Sequence, residues 1–246
     1  MGKTIIEKDI ADSIKSKLGI KSAGQASIRE IKKLADEIES ASGVKFVRME
    51  MGVPGLPPAQ AGIEAEIEAL KSGVAALYPD IMGVKELKAE ISLFVKNFLN
   101  VNVSPDGCVP TVGSMQGGFA SFMMLNRIRA DRDTILFIDP GFPVHKQQVK
   151  VLGNKFASFD VYNFRGEKLR EKLESMLSAG NIHSMLYSNP NNPSWICFTD
   201  SELRIIAEVA AKYDVVVIED LAYFAMDFRK DYSKPGQPPF QPTIAN

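Results

Sequence analysis

The chain has 246 residues, 45% of them hydrophobic, and its 29 Lys and Arg against 30 Asp and Glu leave a formal charge of -1. That is enough apolar chain for a sizeable core, while the even charge leaves no electrostatic footprint for nucleic acid or an anionic membrane surface. No apolar run approaches membrane-spanning length, the N-terminus has no secretory apolar segment, and Cys108 and Cys197 lie far apart without CxxC spacing. Small molecules and proteins are therefore the expected partners, and a reducing cytoplasm the expected compartment.

In chain order, Ile28, Ile31, Leu34 and Ile38 recur at helical spacing and predict an amphipathic helix over 26–41. A short strand is expected from Phe46 to Glu50. The run from Gly52 to Pro58, rich in Gly and Pro, then forbids regular structure and reads as a connector. An N-terminal segment, 1–55, would precede a main domain, 56–246. Beyond the connector the pattern predicts helices near 59–72 and 84–99, a strand at 108–112, a helix at 115–129, a strand at 134–139, and helices at 143–152 and 167–178. A strand at 182–188, a helix at 200–213 and a strand at 215–219 complete it. Such alternation implies a three-layer α/β/α fold with a mainly parallel sheet. The runs Thr134–Ile138 and Val215–Ile218 are continuously apolar, as strands covered on both faces are, and both end in acid, at Asp139 and at Glu219-Asp220. The tail 229–246 has no periodicity and reads as a loop leading elsewhere.

Ligands of open α/β sheets bind at the carboxyl ends of the strands, and four segments there carry candidate chemistry. Thr111-Val112-Gly113-Ser114-Met115-Gln116-Gly117-Gly118 passes through small residues into a helix whose first N–H groups suit a phosphate. It is neither GxGxxG nor a P-loop, and a plain βα turn reads the same way. Asp139-Pro140-Gly141-Phe142-Pro143-Val144-His145 fixes its backbone with two prolines, so Phe142 is either a platform for a planar ligand or a core residue. Ser188-Asn189-Pro190-Asn191-Asn192-Pro193-Ser194-Trp195 is a turn whose amides could also serve a ligand oxygen. Glu219-Asp220-Leu221-Ala222-Tyr223 sets acids and a phenol just beyond a buried strand, where a charge must be paired or hydrogen-bonded. Two histidines, His145 and His183, with no cysteine pair nearby, offer no metal-ligand spacing.

In this order the four segments resemble the fold-type I pyridoxal-phosphate-dependent aminotransferases, over roughly Phe46 to Phe228. Tyr78-Pro79-Asp80-Ile81-Met82-Gly83 and Gly52-Val53-Pro54-Gly55 are similar to two further segments of that family, the second near the substrate carboxylate. The resemblance implies the major domain of that fold, incomplete at its C-terminus, with 1–55 contributing to a small domain. It implies pyridoxal 5'-phosphate as cofactor and transfer of an amino group between an amino acid and a 2-oxo acid. Asp220 would keep the pyridine nitrogen protonated, and Asn192 and Tyr223 would donate to the ring oxygen. Phe142 would stack on the ring, and His145 would orient Asp220. Ser114, Met115 and Gln116 would surround the phosphate, Tyr78 would reach the phosphate of the neighbouring subunit of a homodimer, and Gly52 would lie near the substrate.

Two departures stand out. The family commonly has Asn-Pro-Thr-Gly where this chain reads Asn192-Pro193-Ser194-Trp195. The lysine that carries the cofactor as a Schiff base follows the aspartate by more residues than the chain has left; Lys230 and Lys234 come too soon. The substrate-binding arginines are expected downstream as well, so the resemblance implies a C-terminal half that is missing or a separate chain. A lyase or decarboxylase on the same fold would use the same Asp220 and Phe142. A non-catalytic binding or regulatory domain is the alternative of another class, and the N-terminal residues show no basic DNA-binding unit.

Overall fold

The computed structural model describes residues 5–52 and 55–246. It divides into two compact units, Met1–Leu77 and Tyr78–Asn246. The helix that follows the Gly/Pro run, Gln60–Lys71, buries none of its residues.

The first unit contains α1 (Lys8–Lys17), α2 (Ile28–Ser42) and α3 (Gln60–Lys71). α2 starts where a capping box places it: the Glu30 N–H donates to Ser27 Oγ at 3.3 Å and the Ser27 N–H to Glu30 Oε2 at 2.7 Å. Gly43, at φ +70°, ends it. The sequence reading missed α1, which is mostly polar; it packs on α2, buries Ile14 and pairs Lys17 with Glu37 at 2.9 Å. The strand expected from Phe46 to Glu50 does not form. Its first N–H is taken by Glu39 Oε1 at 2.8 Å and Arg48 reaches Asp36 at 2.7 Å, so side chains of α2, not a neighbouring strand, hold the segment.

The second unit runs α4 (Lys85–Leu99), α5 (Gly113–Ile128), β1 (Thr134–Asp139), α6 (Pro143–Val151), β2 (Lys155–Asp160), α7 (Glu167–Leu177), β3 (Ile182–Ser188), α8 (Asp200–Tyr213) and β4 (Val216–Asp220). The strands lie in the order β2-β1-β3-β4, and every pairing is parallel. Alternation along each strand sorts side chains onto two faces. Leu136, Ile138, Met185 and Tyr187 meet Leu169, Leu173 and Leu177 of α7 and Leu203, Ile206 and Val209 of α8. Ile135, Phe137 and Leu186 meet Phe122 of α5 and Val149 of α6. This is the three-layer α/β/α fold. Each large aliphatic side chain fully buried in these layers stabilises the fold by about 1.5–3 kcal/mol.

The strand expected at 108–112 is absent. Pro110 has no N–H to give a ladder, and the Val112 N–H is taken by Gln116 Oε1 at 2.6 Å. In its place the sheet gains β2, an edge strand with only Phe159 buried. The tail is not a free loop: Tyr232, Gln241 and Thr243 are buried, and the Gln241 N–H bonds the Phe98 carbonyl at 2.9 Å.

Candidate active site

The chain leaves β1 to add β2 on one side, then crosses back to place β3 on the other. The crevice at the carboxyl ends of β1 and β3 is therefore the topological switch point, where open sheets bind ligands. Short contacts draw the predicted segments together there. Asn191 Nδ2 bonds the Pro140 carbonyl at 2.6 Å, joining the loop after β3 to the loop after β1. The Asn189 N–H bonds the Asp220 carbonyl at 3.2 Å, joining it to the end of β4. Gln148 of α6 donates to the Met115 carbonyl at 2.9 Å, which brings in the start of α5.

Four acids end the strands: Asp160, on edge strand β2, is exposed and accepts the Tyr162 N–H at 2.9 Å, and the structure separates the other three. Asp139 is paired with Lys146. Glu219 accepts from the Tyr187 hydroxyl at 2.9 Å and from Thr243 Oγ1, and burial pushes its carboxyl above the usual range. Asp220, one residue on, points to the opposite face, as the two-residue period requires. Its Oδ1 accepts only the Ala222 N–H, at 3.1 Å, and its Oδ2 lies 3.7 Å from His145 Nε2. A carboxylate offers about four acceptor positions, so Asp220 keeps unused capacity with its side chain only 12% exposed. His145, the more deeply buried, is held below the ordinary histidine range by desolvation, against the opposing pull of Asp220. Burial thus favours its neutral form. The rings of Phe142 and Phe122 stand edge-on to it at 5.7 and 6.0 Å.

Ser114, Met115 and Gln116 form the first turn of α5, entered through Gly113 at φ +74°. The N-cap, Val112, supplies no side-chain acceptor, so the N–H groups of this turn are open to a ligand. The side chain of Asn192 and the hydroxyls of Ser114 and Tyr223 have no hydrogen-bond partner among the described residues. Tyr78 is not brought in: its side chain is 102% exposed at the head of the second unit. Gly52 lies exposed in the first unit, and Val53 and Pro54 of its segment fall outside the described residues.

The sequence reading missed the supporting residues. Asn189 and Asn191 are buried scaffold, Asn189 Oδ1 accepting the Phe198 N–H at 3.1 Å, whereas Asn192 is only half-buried. Trp195 takes the left-handed conformation, φ +58°, at the position where the family commonly has glycine. That conformation costs a non-glycine residue about 1–3 kcal/mol. The Trp195 N–H bond to the Asn191 carbonyl at 2.9 Å and the ring contacts with Tyr223 and Phe228 offset it.

The sequence profile of aminotransferase class I and II matches residues 44–236. A (5-formylfuran-3-yl)methyl phosphate transaminase of Methanocaldococcus jannaschii is 30% identical over 216 residues, covering 84% of this chain and 54% of its own length. An aspartate aminotransferase of Sulfolobus acidocaldarius is 24% identical over 198 residues, covering 77% of this chain and 47% of its own. Among solved structures, an alanine aminotransferase from Pyrococcus furiosus superposes with a TM-score of 0.68 at 24% identity, over 85% of this chain and 53% of that one. The chain thus spans about half the length of the relatives it matches. With the profile covering most of its residues and the expected segments meeting at one sheet edge, the chain belongs to the class I and II aminotransferases.

Proposed function

We propose that the chain forms the cofactor cradle of a pyridoxal-phosphate-dependent aminotransferase that moves an amino group between an amino acid and a 2-oxo acid. One observation carries this reading: Asp220 ends β4 with a single hydrogen bond among the described residues, from the Ala222 N–H, beside a buried His145, and the loops around it reach the phosphate-ready end of α5 through α6. The donor set fits the group. Anionic phosphate suits the open N–H groups and Ser114 hydroxyl of the first turn, the ring oxygen suits Asn192 and Tyr223, and the ring nitrogen suits a carboxylate.

When bound, the cofactor supplies a pyridine ring that takes up the electrons released at the amino acid's Cα. Asp220 holds the proton on the ring nitrogen, which an amide could not do. His145 orients Asp220 without adding a second charge. Phe142 covers a face of the ring, and Asn192 and Tyr223 draw negative charge onto the ring oxygen. The lysine and the substrate-binding arginines lie outside these 246 residues, on a C-terminal half or a second chain, and Gly52 serves the substrate side in a small domain to which 1–55 contribute. The working unit is a homodimer in which Tyr78 reaches the neighbour's phosphate, supported by the apolar residues exposed along α4 and α5. Two free cysteines are consistent with the cytoplasm, and among the described residues no helix is long and apolar enough to cross a membrane.

The test is Asp220→Asn in the lysine-containing holoenzyme. It should keep most of the cofactor affinity and lose at least about a hundredfold in turnover, the loss of a charge acting only as the reaction proceeds. Unchanged turnover would refute the assignment.

A further inference from the structure

Trp195 is an outlier in both conformation and chemistry. It holds φ +58°, where the family's glycine would be unstrained, yet its ring is not buried: it is 43% exposed. Its indole meets the Tyr223 ring at 5.6 Å and 60°, and lies nearly parallel to Phe228 at 6.3 Å and 15°. Tyr223 sits on a tight turn after β4, where the Phe224 N–H bonds the Leu221 carbonyl at 2.8 Å and the Met226 N–H bonds the Tyr223 carbonyl at 3.1 Å. The neighbouring Phe224 anchors this turn to Phe94 and Phe98 of α4, at 5.1 and 6.2 Å. The Tyr223 side chain has no such anchor. Its hydroxyl is unbonded, and Trp195 is the one aromatic ring against it among the described residues.

We infer that Trp195 is a positioning residue for Tyr223. Reaching across from the turn that carries Asn192, the indole limits the phenol to orientations in which its hydroxyl faces the ring oxygen of a pyridoxal-type ligand. This rests on the cofactor reading above. The turn thereby aligns two donors at once, Asn192 from its own backbone and Tyr223 through the indole. Edge contacts between aromatic rings favour particular orientations, and a phenol pre-set in its bound rotamer loses less freedom when the ligand arrives.

Pyridoxamine 5'-phosphate, which needs no lysine to bind, is the probe, with affinity read by titration calorimetry on the lysine-containing protein freed of its cofactor. Trp195→Gly, which restores the unstrained residue, should weaken binding about three- to tenfold, the reach of one aromatic contact. Trp195→Phe should recover most of it. In a Tyr223→Phe background, where there is no hydroxyl to aim, Trp195→Gly should change affinity by less than about twofold. Circular dichroism of each variant checks that it is folded. Equal losses in both backgrounds, or no loss in either, would overturn the role of Trp195 while leaving the cofactor site standing. Failure of the unaltered lysine-containing protein to bind the probe would overturn both.

Discussion

The two faces of the sheet are finished to different degrees. On one, α7 and α8 close over β1, β2, β3 and β4 with leucines and isoleucines that are almost wholly excluded from water. Ion pairs rim this face: Arg165 with Glu202 at 2.6 Å, Arg170 with Glu208 at 2.7 Å and Lys212 with Glu174 at 2.8 Å. On the other, α5 sends Phe122 and Leu125 inward yet leaves Met115, Met123, Met124 and Ile128 exposed; elsewhere in the unit α4 also exposes Leu87, Leu93 and Phe94. A helix apolar on most of its circumference belongs inside something. The first face is therefore the closed core of the unit, and the second is a surface left open, on the same side of the sheet as the start of α5 and Asp220.

Truncating the finished face should have the largest effect. Leu173→Ala removes a fully buried side chain between α7 and the sheet and should cost about 2–5 kcal/mol in urea unfolding. A cost below about 1 kcal/mol would mean that this face is loosely packed and the contrast false. Acid should act on the same face. Burial works to raise the Glu202 carboxyl, but the Arg165 guanidinium and the Thr199 and Gly166 N–H groups outweigh it and bring it to about 2 from 4.5. A depressed carboxyl stabilises the fold above its unfolded value and loses that contribution as pH falls through its folded value. Stability worth about 3 kcal/mol should therefore drain away between about pH 5 and 2, and Glu202→Gln should flatten that part of the profile.

The same contrast explains what could be read from the sequence. β1 was legible because both its faces are buried, which writes a continuous apolar run, and β3 was legible by Met185-Leu186-Tyr187 although it also buries His183 and Ser184. β2 was not, since an edge strand broken by Ser158 and ending at Asp160 reads as loop. The run before α5 looked like a strand by its Val109 and Val112, but Pro110 and the diversion of the Val112 N–H to Gln116 deny it a ladder. At the site, the order of the motifs was informative where single residues were not. That Glu219 and Asp220 face opposite ways follows from the strand period alone. That Asn189 and Asn191 are scaffold, while Asn192 stays free, depends on which loops they bridge, and no local pattern encodes it.

The smallest expected effect probes the unfinished face. Met124 is on α5, more than half exposed and outside both buried clusters. Met124→Ser should therefore shift the unfolding of the isolated chain by no more than about 0.5 kcal/mol, as surface substitutions do. If a second copy covers this face, the same change removes apolar area from the interface. A methionine fully buried there contributes about 1.5–3 kcal/mol, and a side chain already half-covered within its own chain contributes less. About 1.4 kcal/mol corresponds to a tenfold rise in the dimer dissociation constant, which sedimentation equilibrium on wild type and variant would read. The two measurements separate because stability of the single chain and association draw on different faces. A loss of stability comparable to that of Leu173→Ala would show that α5 is already enclosed. An unchanged association, with dimers present, would place the partner's contact elsewhere than on this stretch of α5.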